Sequence, residues 1–221
     1  MDAATFEDDL FYEWGKEKPL RHDPIKAIVA PRPIGWISTV DPQGRPNLAP
    51  YSFFNNFSSS PPIVAFSSEI ESDSVDNAEA TGEFVFNLVS LDLVSLMNAS
   101  SEGFPPGVSE FDMAAIEMAP SRLVRPPRVA ASPAALECKT LQVLQLKDLD
   151  GKPIRARMVL GQVVGVHIRK EFLVNGQFDT AKAQPVARCG YLADYAVVKE
   201  LFELPRPRFT ARQLTGKRDA R

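Results

Sequence analysis

The sequence has little of the residue types that metal sites and nucleophilic sites need. Among 221 residues there are only two cysteines, Cys138 and Cys189, and two histidines, His22 and His167. The cysteines have no CxxC spacing and no neighbouring histidine, which argues against a zinc site or a thiol nucleophile. We expect two reduced thiols rather than a disulfide, and a structural role for His167 within a strand. The sequence therefore predicts no metal site and no catalytic side chain.

Long apolar runs and a strong net charge are also lacking. No apolar run approaches the roughly 18 residues that span a bilayer. The N-terminal stretch MDAATFEDDLFYEW lacks the basic-then-apolar order of a secretion signal. The net charge of −3 gives no indication of a nucleic-acid or membrane partner. We therefore expect a cytoplasmic protein that binds neither nucleic acid nor membranes.

Proline is abundant, and the 19 prolines spread along the chain favour short strands and frequent turns over long helices. Apolar runs predict strands at 34–40, 48–57, 63–67, 84–89, 135–147 and 154–168. Turn signals at 148–151 and at Asn175-Gly176 indicate two hairpins. Short helices are predicted at 23–30, 74–81 and 91–98, with one more turn near Glu110. This pattern is typical of a closed antiparallel barrel and argues against alternating βαβ units.

The segment from Pro31 to Ser68 interleaves serines and threonines with aromatic residues: PRPIGWISTVDPQGRPNLAPYSFFNNFSSSPPIVAFSS. Hydroxyl groups and backbone amides can hydrogen-bond the carbonyl edge or the phosphate of a flavin, and aromatic side chains can cover its planar ring. The simpler interpretation is a strand with one wet and one dry face. The residues alone leave both interpretations open.

The order of several motifs resembles the flavin reductase-like family of FMN-binding split-barrel proteins, and most closely its flavoredoxin-related group. The motifs, spread over about residues 20–200, are PRPIGWIST, NLAPYSFF, SDSVDN, TGEFVFNLVS, RMVLGQVVGVHI and PVARCGYLADY. The resemblance implies a mainly β fold, an antiparallel FMN-binding split β-barrel with a few peripheral short helices. It also implies a homodimer with FMN at its interface. We expect an N-terminal arm at 1–20, the FMN-binding domain at 21–200 and a basic C-terminal tail at 201–221.

The resemblance also implies which residues bind the cofactor. They are Trp36, Ile37, Ser38 and Thr39 of the first strand, Ser52, Phe53 and Phe54, the strand end at Ser67 and Ser68, Ser74 and Asn77 of the next helix, and Arg188. Where the family often has Lys-Asp-Thr, this chain has Ser72-Asp73-Ser74. Because that lysine is missing, we expect Arg32 to balance the charge of the phosphate.

The resemblance implies an oxidoreductase that binds FMN rather than FAD, accepts hydride from NAD(P)H and passes electrons to an acceptor. That acceptor could be an electron-accepting protein or a monooxygenase. A Gly-Asp-His motif found in two-component reductases is absent here, since IRARMVL precedes Gly161. Because this motif is absent, an alternative function remains open, that of a non-catalytic electron carrier reduced by a partner protein. A structural β-barrel module is the third hypothesis. An exposed Trp36 with neighbouring phenylalanines would favour coverage by a second subunit.

Overall fold

The structure is a computed structural model that describes residues 9–103 and 108–207. Its strands are β1 Arg32–Pro33, β2 Gly35–Val40, β3 Pro46–Tyr51, β4 Phe54–Ser59, β5 Pro62–Ser68, β6 Glu83–Asn87, β7 Met118–Ala119, β8 Arg128–Val129, β9 Ala134–Lys147, β10 Pro153–Ile168, β11 Leu173–Val174, β12 Gln177–Phe178, β13 Val186–Arg188 and β14 Tyr195–Val197. Its α-helices are α1 Ile25–Ile28, α2 Asp73–Thr81, α3 Val94–Ala99, α4 Glu110–Met113 and α5 Thr180–Ala183. Short 3₁₀ helices lie at Leu91–Leu93 and Lys170–Phe172. In these described residues, no helix has the length and apolar character of a membrane span.

The main sheet has seven antiparallel strands in the order β3-β2-β6-β9-β10-β5-β4. Its two end strands, β3 and β4, are nonetheless consecutive in the chain and are separated only by Ser52 and Phe53. Three peptide steps span at most about 11 Å, so the sheet must curl until its ends meet. The predicted antiparallel split-barrel fold is confirmed.

Strand β2, GWISTV, is buried on both faces, and its two polar side chains, Ser38 and Thr39, are hydrogen-bonded within the protein. Successive side chains of a strand point to opposite faces. Trp36 belongs to one core cluster, with Leu48, Met97 and Phe111 among its members, and the adjacent Ile37 belongs to another. Trp36 is fully buried, and its Nε1 donates a hydrogen bond to Ser100 Oγ at 2.9 Å. The expectation of an exposed Trp36 was therefore wrong.

Most predicted elements are present, with one informative difference. The hairpin at 148–151 joins β9 and β10, and the second hairpin turns through Asn175 and Gly176, both at positive φ. The single strand predicted at 48–57 is divided into β3 and β4.

The two cysteines are free thiols, and burial raises the pKa of the Cys138 thiol.

Gly35 allows the two ends of the sheet to close. Gly35 pairs with Tyr51 across the β2–β3 ladder. A Cβ atom at position 35 would lie 2.6 Å from Cδ2 and 2.9 Å from Cβ of Phe54. The Phe54 ring is held on its other side by Phe86, with ring centroids 4.5 Å apart and planes 5° apart. Phe54 therefore occupies the space that any side chain at position 35 would need.

We predict that Gly35→Ala destabilises the protein by about 1–3 kcal/mol, the range for adding a methyl group to a packed interior. Urea denaturation would measure the free energy of unfolding. Gly103→Ala is the control, because a Cβ there meets no atom of the described residues within 4 Å. Equal stability of both variants would contradict the tight Gly35–Phe54 contact.

Candidate functional site

A cavity of about 420 Å³ opens where the chain passes from β3 to β4. We name it the Phe54 cavity. Its lining consists of Ile28, Val29, Ala30, Pro31, Arg32, Pro33, Ser52, Phe53, Phe54, Asn55, Phe57, Ala65, Phe66, Ser67 and Met158. The volume lies within the range of small-molecule sites. The lining is mostly aromatic and aliphatic, with the serine hydroxyls as local hydrogen-bonding groups.

The sheet fixes the walls of the Phe54 cavity. Ser52 and Phe53 form a two-residue interruption between β3 and β4. The Ser67 N–H donates to the Phe53 carbonyl at 2.9 Å, so this interruption is hydrogen-bonded to the end of β5. Met158 on β10 lies directly opposite Ser67 on β5. In the described part of the chain, Ser68 and Ser72 have side-chain hydrogen bonds, whereas the hydroxyls of Ser52 and Ser67 have none. These two hydroxyls are therefore available to a ligand.

A second cavity, of about 580 Å³, follows the Phe54 cavity along the β5–β10 strand pair. We name it the Arg155 cavity. Its lining consists of Ile70, Glu71, Ser72, Val75, Asp76, Gln145, Arg155 and Arg157. Arg157 bonds Asp76 at 2.5 Å and also pairs with Glu79, and the Asp76 hydrogen bond raises the pKa of Arg157. Arg155 forms no ion pair with a described residue, so its positive charge remains available.

The structure brings some of the predicted cofactor residues together and leaves others apart. Arg32, Ser52, Phe53, Phe54 and Ser67 all line the Phe54 cavity. Asn77 instead lines a separate cavity of about 430 Å³, the Asn77 cavity, together with Asp41, Arg45, Asp73 and Asp112 among others. The predicted residues that line none of these three cavities are Trp36, Ile37, Ser38, Thr39, Ser68, Ser74 and Arg188.

The Arg32 guanidinium is bound to backbone carbonyls. Its Nη1 donates to Val29 O at 2.6 Å and also to Lys26 O, and its Nη2 donates to Cys189 O at 2.7 Å. Only its buried Nε has no partner among the described residues. Arg32 thus joins the segment around α1 to the turn that follows β13.

Several of the predicted hydroxyls are engaged within the protein. Ser38 Oγ donates to Pro127 O at 2.5 Å, and Thr39 Oγ1 accepts from Asn77 Nδ2 at 3.2 Å. The Ser74 hydroxyl is 2.8 Å from the Asn47 side-chain amide. The Arg188 guanidinium donates to the Tyr195 hydroxyl at 2.8 Å and to two backbone carbonyls. These groups hold the strands and the loops after β13 together.

The buried hydroxyl of Tyr51 also belongs to this polar region. The Tyr51 and Ser72 hydroxyls share a hydrogen bond of 2.5 Å. Burial raises the pKa of Tyr51, so the phenol stays protonated at neutral pH. Ser72, which stands where the family often has lysine, is thereby held at the edge of the Arg155 cavity.

A buried carboxylate that the sequence analysis missed lies on β9. Glu137 is fully buried, and its carboxylate accepts from the N–H groups of Arg122 at 2.8 Å and Leu123 at 2.6 Å, and from His167 Nε2. Burial opposes ionisation, but these hydrogen bonds outweigh it and hold the pKa of Glu137 below its usual value. The signal in the sequence that could have revealed this carboxylate was a glutamate at a position of the predicted strand 135–147 where a buried residue is expected. His167 has the structural role expected of it, as a partner of Glu137.

We predict that Glu137→Gln lowers the free energy of unfolding by about 2 kcal/mol at pH 7, because a charge-assisted network is weakened in the interior. The lowered pKa means that this contribution is complete above the usual carboxyl value of 4.5 and is lost as the pH falls below it. The stability difference from the unmodified protein should therefore shrink in acid. Denaturation curves from pH 7 to pH 3 would measure it, with the exposed Glu171→Gln as control. A pH-independent difference would contradict the ionised state of Glu137.

Comparison with known proteins assigns the chain to a family. A sequence profile described as flavin reductase like domain matches residues 29–182. The chain belongs to this family, and the matched segment contains the lining of the Phe54 and Arg155 cavities except Ile28. An uncharacterized protein of Deinococcus radiodurans is 38% identical over 198 residues, covering 84% of each chain. One of Halalkalibacterium halodurans is 33% identical over 184 residues, covering 81% of this chain and 87% of the relative.

Solved structures share the fold. Nitrilotriacetate monooxygenase component B from Bacillus cereus superposes with a TM-score of 0.77 at 24% identity, covering 88% of this chain and all of that chain. A 2-nitrobenzoate 2-nitroreductase from Pseudomonas fluorescens gives 0.74 at 26% identity, with coverage of 84% and 90%. Flavoredoxin of Desulfovibrio vulgaris gives 0.70 at 20% identity, with coverage of 89% and 100%. These superpositions agree with the fold, and the sequence profile over residues 29–182 confirms the predicted family.

Proposed function

We propose that the protein is an FMN-binding oxidoreductase that accepts hydride from NAD(P)H and passes electrons to an acceptor. The observation that carries this proposal is the Phe54 cavity, which lies at the interruption of the barrel within the segment matched to the family. Phe53 offers an aromatic ring and Phe54 a ring edge to a planar ligand, and Ser52 and Ser67 offer unused hydroxyls to its polar edge. Bound FMN would supply the redox chemistry, as acceptor of the hydride from NAD(P)H and donor of electrons, and the protein would orient the ring and exclude water.

The charges around the neighbouring cavities support an orientation for the cofactor. The Asn77 cavity has three aspartates and one arginine, Arg45, which is already paired with Asp41. That surplus of negative charge disfavours a phosphate. The Arg155 cavity has the unpaired Arg155 and the Ser72 hydroxyl, and its two carboxylates, Glu71 and the Asp76 that pairs with Arg157, leave it without a negative surplus. We therefore propose that the ring occupies the Phe54 cavity and the phosphate lies near Arg155, while Arg32 keeps its carbonyl partners.

The alternative is an electron carrier without its own NAD(P)H reaction. In the part of the chain that the structure describes, Arg32 is the only ionisable residue in the lining of the Phe54 cavity, and its guanidinium is bound to carbonyls. The absence of a Gly-Asp-His histidine before Gly161 favours the carrier. A hydride step requires no side-chain acid or base, so the same lining is compatible with the oxidoreductase.

The proposed assembly is a homodimer that delivers electrons to a second protein. Val164, Val166 and Ile168 are exposed at alternate positions of β10 and so share one face of that strand. An apolar stripe of this kind is typical of a subunit interface. The similarity to a monooxygenase component B supports a partner enzyme as the electron acceptor.

We predict that Arg155→Ala weakens FMN binding about tenfold and leaves riboflavin binding unchanged, because only FMN has the phosphate that the guanidinium would bind. Quenching of flavin fluorescence during titration measures both affinities. Arg45→Ala is the matched control, since Arg45 lies in the Asn77 cavity. Weaker FMN binding in Arg45→Ala alone would place the phosphate in the Asn77 cavity and contradict this assignment.

The function itself is tested by the absorbance spectrum of the purified protein, loaded with FMN and titrated with NADH and NADPH without oxygen. The proposed oxidoreductase is yellow and loses its absorbance near 450 nm with one of the two nucleotides, as expected for a reduced flavin. Protein that binds FMN but stays oxidised would favour the electron carrier. Protein that does not bind FMN would contradict both hypotheses.

A further inference from the structure

A larger cavity, of about 1190 Å³, adjoins the Phe54 cavity. We name it the Tyr191 cavity. Its lining consists of Trp14, His22, Asp23, Ile25, Lys26, Phe53, Glu69, Tyr191, Leu192, Ala193 and Asp194. Phe53 belongs to the lining of both cavities, so a ligand in one lies next to a ligand in the other. We propose that the Tyr191 cavity binds an uncharged, planar aromatic molecule, the second reactant of the protein; its role as reactant depends on the proposed function.

The walls of the Tyr191 cavity favour a flat apolar ligand. Trp14, Phe53 and Tyr191 contribute aromatic rings, and His22 stands edge-on to Tyr191 with ring centroids 6.0 Å apart. Ile25 and Leu192 add aliphatic surface, and both are exposed in the structure. Aromatic rings on several sides bind a planar ring by stacking and edge contacts while removing apolar surface from water.

The charges of the Tyr191 cavity disfavour an anion. Lys26 is the cation of the lining, and its Nζ is bonded to Glu69 at 3.1 Å while lying 5.2 Å from the centre of the Phe53 ring. Asp23 is paired with Lys18 at 3.4 Å, whereas Asp194 adds a carboxylate that has no ion pair with a described residue. The hydrogen bond from the Ile25 N–H lowers the pKa of Asp23, which therefore stays ionised at neutral pH. A carboxylate or sulfonate would enter a site with a negative surplus.

The cavity is therefore distinct in chemistry from the Arg155 cavity. The Arg155 cavity has an unpaired guanidinium suited to a phosphate, whereas the Tyr191 cavity has aromatic walls and the surplus carboxylate of Asp194. The two lie on either side of the segment Ser68–Ser72, of which Glu69 faces one cavity and Ser72 the other. This arrangement separates the charged end of the cofactor from the ring of the second reactant.

Binding can be measured through Trp14 with a matched pair of probes, uncharged 2-(hydroxymethyl)anthraquinone and anionic anthraquinone-2-sulfonate. The expected result is saturable quenching of tryptophan fluorescence by the uncharged probe. This quenching should be lost in Trp14→Phe, because the remaining tryptophan, Trp36, is buried away from the cavity. Ala193→Phe, which fills the cavity, should weaken binding at least tenfold. Ala80→Phe, on an exposed face of α2 outside the cavity, should leave it unchanged.

The sulfonate should bind at least tenfold more weakly than the uncharged probe, and the double variant Glu69→Gln with Asp194→Asn should narrow this difference. Equal binding of the two probes, or quenching that Ala193→Phe leaves intact, would overturn the proposal. Binding that appears only after deletion of residues 199–221 would also overturn it, because this chain's own C-terminal segment would then be the occupant.

An FMN titration of the same protein separates this inference from the proposed function. FMN binding without saturable probe binding would contradict the assignment of the Tyr191 cavity alone. Probe binding to a protein that does not take up FMN would contradict the flavoprotein proposal and leave the aromatic site standing.

Discussion

The fold and the candidate site depend on one contact, that of Phe54 with Gly35. Because Gly35 has no side chain, the Phe54 ring can lie against β2 while it stacks on Phe86. The chain thereby ends β3 at Tyr51, passes through Ser52 and Phe53, and starts β4 in only three peptide steps. The same interruption that brings the ends of the sheet together leaves two residues outside the ladders. Those residues form a wall of the Phe54 cavity.

Arg32, on β1 in the lining of the Phe54 cavity, connects the region where the sheet closes to the segments outside the sheet. Its guanidinium holds the carbonyls around α1 and the carbonyl of Cys189, so the segment that contains Lys26 and the turn that contains Tyr191 are fixed relative to each other. Both segments are walls of the Tyr191 cavity. The arginine expected to balance a phosphate also positions the neighbouring aromatic cavity through these carbonyls. In our proposal the phosphate is therefore assigned to Arg155, which lies on β10 and lines a cavity with residues of α2.

Local patterns in the sequence were sufficient for the strands and turns, and motif order was sufficient for the family. The division of 48–57 was not predictable, because its cause is the contact of Phe54 with a glycine 19 positions earlier in the chain. The serines and aromatic residues of 31–68 stood out in the sequence, but alternation alone could not show which face of the sheet each side chain meets. Ser52 and Ser67 reach a cavity, whereas Ser38 and Trp36 face the interior. Arg155 and Glu137 depend on pairings between distant strands, which no single segment reveals.

The central claim is that a flavin ring binds at the interruption between β3 and β4. The most direct measurement is a two-dimensional amide NMR spectrum of ¹⁵N-labelled protein recorded during addition of FMN. The account predicts that the largest shifts occur at Ser52, Phe53 and Ser67 and continue to Ser72. Shifts concentrated at Asn47, Asn77 and Asp112, around the Asn77 cavity, would contradict it.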